Sequence, residues 1–263
     1  MNKFNIYKKG NYKKGNYTNM NKTTVSLLTI TQKSRNKCLK NLLEFINNQT
    51  YQDIIEWVIV EGSKTQKEAE ENKEYILNEI IIINKTRFPI KYIDFEEVSK
   101  LSDLRNRGNA SCKGDIIVCM DDDDYYPPKR VETAVSKLNN STKQIAGCSY
   151  AYMYDYNIDK LYKFKSFGRN HSTNNCLAYK KEYLLTHKHE AGLDRGEEMS
   201  FTNNFTEPMI QLDSEDCIVI SSHGSNTFDK SALCMKENKQ IREILNNNII
   251  SQEIILKIKG SLF

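Results

Sequence analysis

Four consecutive aspartates, Asp121 to Asp124, directly follow the apolar run IIVCM at residues 116–120. Adjacent carboxylates repel one another unless a cation neutralises them, and hard oxygen ligands favour magnesium or manganese. Alternate side chains of an extended segment point the same way, so Asp121 and Asp123 would face one side and Asp122 and Asp124 the other. A merely solvated acidic turn would not need a buried strand before it. The cluster therefore predicts a D-x-D metal site at a strand end.

Two other D-x-D chemistries are disfavoured by the neighbouring residues. A calcium-binding EF-hand loop beginning at Asp121 would have Glu132 at its twelfth position, but Tyr126 would stand at the sixth, where glycine is needed. A phosphatase of the haloacid dehalogenase type has its D-x-D near the start of the chain and before Thr or Val. Here Tyr125 follows the aspartates, which lie in the middle of the chain.

The elements around this cluster alternate between apolar strands and helices. Strands are predicted at 25–31, 54–60, 90–95 and 116–120, and helices at 38–46, 65–77, 103–111 and 127–138. This order predicts an α/β fold with a mostly parallel central sheet flanked by helices, in which ligands bind at the carboxyl ends of the strands. Beyond Gln144 the pattern is irregular, with β-like stretches at 145–154 and 217–221. An amphipathic helix is predicted at about 237–258.

The length of 263 residues suits one domain with tails. Residues 7–17 repeat Tyr-Lys-Lys-Gly-Asn and offer no apolar face, so residues 1–22 are predicted to form a disordered basic arm. The single domain is expected to span 23–235, with a C-terminal amphipathic helix in 236–263.

The net charge of +4 does not indicate a nucleic-acid surface on the fold. Six lysines and no acid precede residue 23, and without those six charges the remainder carries −2. Seven scattered cysteines without C-x-x-C indicate reduced thiols and a cytoplasmic location. No signal peptide or membrane-spanning run is seen. Frequent Asn, Lys and Ile are typical of an AT-rich genome, such as that of a large DNA virus or an AT-rich microbe. A viral protein would be expected in the host cytoplasm or the virion.

Three separated blocks resemble the family 2 glycosyltransferases of GT-A fold. The first comprises VSLLTIT and LLEFINNQTYQDIIEWVIVEGS, which resemble that family's first strand, helix and second strand. The second, LRNRGNASCKGDIIVCMDDDDYYPP at 104–128, resembles its R-N-x-G helix, K-G turn, strand and D-x-D-D-Y. The third, GLDRGEEMSFT at 192–202, resembles its late G-E-D block. Order and spacing agree over about residues 23–230.

The resemblance implies a role for each matching residue. Asp123 would bind the divalent ion that bridges the donor diphosphate, Asp121 would touch the ribose or the metal through water, and His223 would complete the metal site. Glu198 matches the catalytic base, with Glu197 as the competing candidate. The residues expected to contact the nucleotide sugar are Thr31, Arg35, Glu61, Arg105, Asn106, Asp121, Asp122 and Lys230.

The chain also departs from the family's pattern. The first loop reads TQKSR instead of the family's usual Pro-Thr-Tyr-Asn, which puts base recognition by Thr31 and Arg35 in question. Glutamate replaces aspartate at Glu61 and Glu198, so each carboxylate reaches one methylene further.

The function that the resemblance implies is inverting transfer of a sugar from a nucleotide-diphosphate donor, with a UDP-sugar favoured, to a hydroxyl of a glycan, lipid or protein. Mn²⁺ or Mg²⁺ would stabilise the leaving diphosphate. Two alternatives stay open. A nucleotidyltransferase would need a Gly-rich phosphate loop, which TQKSR lacks. A non-catalytic sugar-nucleotide or glycan-binding module would not need the acidic pair Glu197 and Glu198.

Overall fold

The structure is a computed structural model that describes residues 22–82, 88–224, 226, 230–234 and 240–263. Of the predicted basic arm only Lys22 falls within these ranges, so the arm lies outside the described residues and stays a prediction. The described part of residues 240–263 packs against the rest of the fold through the helix at its end, as Lys257 pairs with Glu44 and Ser261 contacts Asn41.

The first half of the chain alternates strands and helices as predicted. Its strands are β1 Val25–Thr31, β2 Ile54–Glu61, β3 Ile90–Ile93 and β4 Ile116–Cys119, and its helices are α1 Cys38–Asn47, α2 Gln66–Tyr75, α3 Leu101–Ser111 and α4 Arg130–Asn139. A π-helical segment, Ile76–Ile81, extends α2. Helix α2 begins where the Thr65 hydroxyl accepts a hydrogen bond from the Glu68 amide, which satisfies one of its first N–H groups.

The second half is richer in short strands. In chain order it contains β5 Ile145–Gly147, β6 Tyr152–Asp155, β7 Lys160–Phe164, β8 Ala178–Lys180, α5 Glu197–Phe201, β9 Met209–Gln211, α6 Ser214–Cys217, β10 Val219–Ser222, β11 Ile241–Ile244 and α7 Gln252–Leu262. These elements include the β-like stretches predicted at 145–154 and 217–221.

The prediction of a helix over about 237–258 is wrong in its first half, and so is the prediction that the C-terminal segment is purely helical. Residues Ile241–Ile244 form β11, which pairs antiparallel with β7. The Asn247 side chain then accepts hydrogen bonds from the amides of Ile249 and Ile250, and such a turn competes with helix formation. The helix begins only after Ser251, whose hydroxyl accepts from the Ile254 amide.

Two sheets share the fold. The large sheet has the order β3-β2-β1-β4-β8-β5-β9. Its first four strands are parallel, β8 runs antiparallel to both neighbours, and β9 is parallel to β5. A second sheet of order β10-β6-β7-β11, which the sequence analysis did not predict, stands beside it. The two sheets meet where Tyr125 and Val219 exchange backbone hydrogen bonds.

Both faces of the central strands are buried, which explains their mainly apolar sequences. Leu27 and Trp57 pack on the face covered by α1 and α4, and Leu28 and Val60 pack on the face covered by α3. Since β1, β2 and β4 are parallel, their carboxyl ends lie at one edge of the sheet. The acidic segment after β4 begins at this edge.

Candidate active site

The four aspartates do not continue β4 as an extended strand but turn away from one another. Asp122 pairs with Arg35 Nε at 3.1 Å and accepts a hydrogen bond from Thr31 Oγ1 at 2.8 Å. Asp124 accepts from the Ser221 amide at 2.7 Å and from Asn175 at 2.6 Å. The predicted strict alternation is therefore wrong, because turn geometry replaces the pleat.

Asp123 stands where three side chains converge on one carboxylate oxygen. Its Oδ2 lies 3.3 Å from Arg35 Nη1, 3.1 Å from His223 Nε2 and 3.2 Å from Asn226 Nδ2. Burial opposes ionisation of this carboxyl, but Arg35 and the hydrogen bond with His223 outweigh it and hold the pKa of Asp123 below its usual value. Asp123 is therefore a carboxylate at neutral pH.

Asp122 and Asp124, the buried neighbours of Asp123, have raised pKa values instead. Burial raises the pKa of Asp122 to about 7, although Arg35 opposes the shift. Burial and the charge of Asp123 raise the pKa of Asp124 to about 8. Asp122 and Asp124 are therefore partly protonated near neutral pH, and a nearby cation would favour their ionisation.

Asp121 and Glu197 are joined by Arg105. The guanidinium contacts both Asp121 oxygens, at 3.2 and 3.3 Å, and donates from Nε to Glu197 at 2.9 Å. Arg105 reaches this position because α3 lies close to the sheet at Gly108, where a Cβ would come within 2.4 Å of Leu28 Cδ1. The glycine of the R-N-x-G motif thus allows the arginine of the same motif to bridge two acids.

His223 is brought to the acidic segment by the second sheet. Strand β10 begins with the pairing of Val219 to Tyr125 and ends at Ser222, directly before the histidine. The Ser221 amide is held by Asp124 along the way. Two segments a hundred residues apart are therefore fixed side by side, and the imidazole of His223 faces Asp123.

Within the described ranges no three His, Cys, Asp or Glu side chains are grouped closely enough to hold a metal by themselves. Asp123 Oδ2 and His223 Nε2 are nevertheless 3.1 Å apart, close to the separation of about 3 Å between adjacent ligands of an octahedral ion with bonds near 2.1 Å. Such ions usually take one or two protein ligands plus substrate phosphates and water. The pair therefore fits a divalent cation that a diphosphate would help to bind.

Glu198 and Glu197 open the short helix α5 but have different surroundings. Glu197 is buried and accepts hydrogen bonds from Arg105 and, at 3.4 Å, from Asn174. In the described part of the chain, no other residue is seen to donate a hydrogen bond to the Glu198 carboxylate, which lines the cavity. Burial, and then the charge of Glu197, raise the pKa of Glu198 to about 7. Such a pKa suits a general base near neutral pH.

An aromatic cluster fixes α5 in place. Phe201 is fully buried, stacks on His189 with centroids 4.2 Å apart, and contacts the rings of Tyr179 and Tyr183 edge-on. The helix begins at Gly196, whose φ of +67° is strained for any residue with a side chain. The two glutamates are therefore presented by a rigid turn.

A cavity of about 440 Å³ is lined by most of these groups; His223 does not line it but lies beside Asp123, which does. The predicted site residues that line it are Arg35, Arg105, Asp121, Asp123, Glu197, Glu198 and Lys230. Lys230 donates to the Ser221 carbonyl at 2.6 Å and adds positive charge near the aspartates. The sequence analysis did not assign Asn174, Asn175, Asn226 or Phe167, which also line the cavity. Asn226 lies three residues after His223, and only that proximity could have indicated it.

Four predicted nucleotide-sugar contacts do not line this cavity. Asp122 and Thr31 bond to each other. Glu61 is buried, and its oxygens accept from the Ser63 amide, Asn72 and Tyr92. Asn106 uses both ends of its amide on the backbone of His189, at 2.8 and 3.0 Å. Each of these four side chains has protein partners, and its contact with a nucleotide sugar stays a prediction.

The fold is that of the GT-A glycosyltransferases. The TarS residues 1–349 structure from S. aureus superimposes with a TM-score of 0.54 at 14% identity, covering 75% of this chain and 60% of that one. The mannosyltransferase PcManGT from Pyrobaculum calidifontis, solved with GDP-Man and Mn²⁺, has a TM-score of 0.57 at 14% identity over 79% of this chain and 59% of that one. Identities this low establish the fold alone.

The sequence establishes the family. The profile of "Glycosyl transferase family 2" matches residues 26–191, and the chain therefore belongs to that family. The "Uncharacterized glycosyltransferase MJ1057" of Methanocaldococcus jannaschii is 27% identical over 188 residues, which cover 67% of this chain and 62% of that protein. The chain thus spans less than two thirds of that relative's length. Among the described residues, no helix combines the length and the apolar character needed to cross a membrane.

Proposed function

We propose that the chain is a divalent-metal-dependent, inverting glycosyltransferase that moves a sugar from a nucleoside-diphosphate donor to a hydroxyl acceptor. The observation that carries the proposal is that one cavity is lined both by Asp123, which lies beside His223, and by the carboxylate of Glu198. Inverting transfer requires both a site for the diphosphate and a base for the acceptor hydroxyl.

The donor is expected to bind with its diphosphate near Asp123, His223 and Lys230. Mn²⁺ or Mg²⁺ held by Asp123 and His223 would supply charge stabilisation to the leaving diphosphate. Lys230 and Arg35, both lining the cavity, add fixed positive charge there. The Mn²⁺ and GDP-Man of the PcManGT structure and the UDP-GlcNAc of a TarS structure support this choice of ligands. Asp121 is held by Arg105 and is expected to contact the ribose or the metal through water.

Glu198 is expected to accept the proton of the acceptor hydroxyl as its oxygen attacks the anomeric carbon. The bond between that carbon and the diphosphate breaks in the same displacement, which inverts the anomeric centre. Glu197 is paired with Arg105. It is therefore expected to position α5 rather than to take the proton. The structural support for choosing Glu198 is that no other described residue donates a hydrogen bond to its carboxylate and that its pKa is raised.

The experiment that tests this function combines binding with product analysis. UDP-glucose, UDP-GlcNAc and GDP-mannose are titrated with and without MnCl₂ by calorimetry, and sugar release is followed by NMR. We expect manganese-dependent binding by the parent protein and slow transfer of the sugar to water with inversion. Asp123→Asn should lose the manganese dependence, while Asp213→Asn, an exposed aspartate that does not line the cavity, should keep it.

The two alternative functions predict different products. A nucleotidyltransferase would convert the nucleotide sugar and added pyrophosphate into a nucleoside triphosphate and a sugar phosphate. A binding module would bind the donor without turnover. Either result, or manganese-independent binding by the parent protein, would contradict the proposal.

A further inference from the structure

Part of the cavity wall is aromatic and has no role in the donor chemistry. Phe164, Phe167, His171 and Phe205 form a continuous row, with successive ring centroids 5.9, 4.8 and 4.8 Å apart. The first three line the same cavity as Glu198. Phe205 does not line it but packs against the ring of His171. Burial lowers the pKa of His171, so its ring is neutral at pH 7 and packs like the others.

Phe167 is the exposed member of this aromatic row. Its side chain remains 46% exposed although its neighbours in the row are half-buried. Its position is nevertheless fixed, because its amide donates to Ser149 Oγ at 2.9 Å and that oxygen lies 3.2 Å from His171 Nδ1. Because its backbone is held and its ring is still exposed and lines the cavity, Phe167 is available to contact a ligand.

The backbone that carries Phe205, the last member of the aromatic row, is strained. Asn203, Asn204 and Phe205 have φ of 50°, 55° and 58°, a run of left-handed residues without glycine. Such conformations cost free energy and persist where the surroundings enforce them, often at ligand-binding sites. The run follows α5 directly, so the same turn that ends the helix of Glu198 places Phe205 against His171.

The cavity that the aromatic row lines also has polar walls. Ser149, Thr173, Asp194 and Arg195 line the cavity beside it. An acyl chain laid along this wall would remove these groups from water without giving them hydrogen bonds, which is unfavourable. A sugar ring is suited to such a wall, because its electropositive C–H face packs on an aromatic face and its hydroxyl edge meets polar groups.

We propose that the acceptor is a saccharide and that one of its rings stacks on Phe167, with its hydroxyl edge toward Ser149, Asp194 and Arg195. The inference rests on the proposed function and adds the class of the acceptor. The aromatic row lines the same cavity as Glu198, so the stacked sugar ring would lie in that cavity.

Binding of simple sugars tests the proposal directly. Methyl glycosides of glucose, galactose, mannose and N-acetylglucosamine, in both anomeric forms, are added to the protein with UDP and MnCl₂ and observed by saturation-transfer NMR. We expect at least one of them to bind with upfield shifts of its ring C–H protons, which the ring current of an aromatic side chain produces. Decyl phosphate serves as the lipid-like probe under the same conditions.

Three variants separate ring stacking from general apolar contact. Phe167→Leu keeps an apolar side chain but no ring, and should abolish the upfield shifts and weaken saccharide binding about two- to ten-fold, the range of one aromatic contact. Phe167→Tyr should retain both. Phe263→Leu removes an exposed ring that does not line the cavity and should change nothing.

The proposal is overturned if no glycoside binds, if Phe167→Leu binds as well as the parent, or if decyl phosphate binds in place of the glycosides. Manganese-dependent donor binding is measured on the same samples. If the donor binds and turns over but no saccharide does, only the acceptor class is wrong. If the donor does not bind either, the proposed function fails as well.

Discussion

Glu198→Gln is the substitution that most directly probes the chemistry, since glutamine keeps the shape of the side chain but cannot take a proton. Burial raises the pKa of Glu198 to about 7. A base with this pKa is ionised in about one tenth of molecules at pH 6 and about nine tenths at pH 8. The parent enzyme's kcat/KM should therefore rise about ten-fold between these pH values and level off above them.

The variant should behave differently in two respects. Its kcat should fall by roughly 10²–10⁴, the usual contribution of a general base, and the rise with pH should disappear. Donor binding should survive, because Asp123, His223 and Lys230 are unchanged. Rates are measured at saturating donor from pH 5.5 to 9, with Glu190→Gln as a control at an exposed carboxylate of the same loop region.

Glu197→Gln provides the decisive comparison. It removes the charge that pairs with Arg105, so it should act on donor KM through Asp121. The rise of kcat/KM with pH should remain but move to lower pH, because the charge of Glu197 helps to raise the pKa of Glu198. If Glu197→Gln is inactive while Glu198→Gln retains the parent's rate and pH dependence, the assignment of the base is refuted. If both variants turn over normally, neither glutamate is the base.

The remaining predictions concern the metal, the bridging arginine and the packing of α3. His223→Ala should weaken Mn²⁺ binding in the presence of UDP at least several-fold by calorimetry, and unchanged binding would remove His223 from the metal site. Arg105→Lys should raise donor KM more than it lowers kcat, because lysine cannot contact Asp121 and Glu197 together in the bidentate manner of arginine; equal rates and KM would show that the bridge is dispensable. Gly108→Ala should destabilise the fold by about 1–3 kcal/mol in urea denaturation because its Cβ would meet Leu28 and Val60. Gly260→Ala is its matched control, with nothing within 4 Å, and should be neutral or stabilising by up to about 1 kcal/mol; equal effects of the two substitutions would contradict the packing argument.

The first half of the fold could be predicted because its signals are local. β1, β2 and β4 are apolar on both faces, and each is followed by a periodic helix, so the sequence shows a parallel sheet. The acidic cluster could be assigned to the sheet edge for the same reason. The family resemblance supplied the pairing of that cluster with the late glutamates, which no local pattern contains.

The second sheet could not be predicted because it depends on distant pairings between very short strands. β11 pairs with β7 about 80 residues earlier, and its four residues resemble a helix turn when taken alone. The hydrogen bonds of Glu61 and Asn106 could not be predicted for a related reason. Their partners, Tyr92 and His189, are far away in sequence, and only the structure shows that these polar groups already have hydrogen bonds.

Asp123 and His223 meet only because Tyr125 pairs with Val219, and this spacing has a consequence for the order of events during synthesis. The parallel strands leave the ribosome about a hundred residues before the histidine does. At the usual rates of elongation that interval is about 5–20 seconds. A nascent chain therefore has time to bring the parallel strands β1 to β4 together beside an acidic segment that still lacks its histidine. Under the proposed function, the cation site would therefore be completed late, when the second sheet docks.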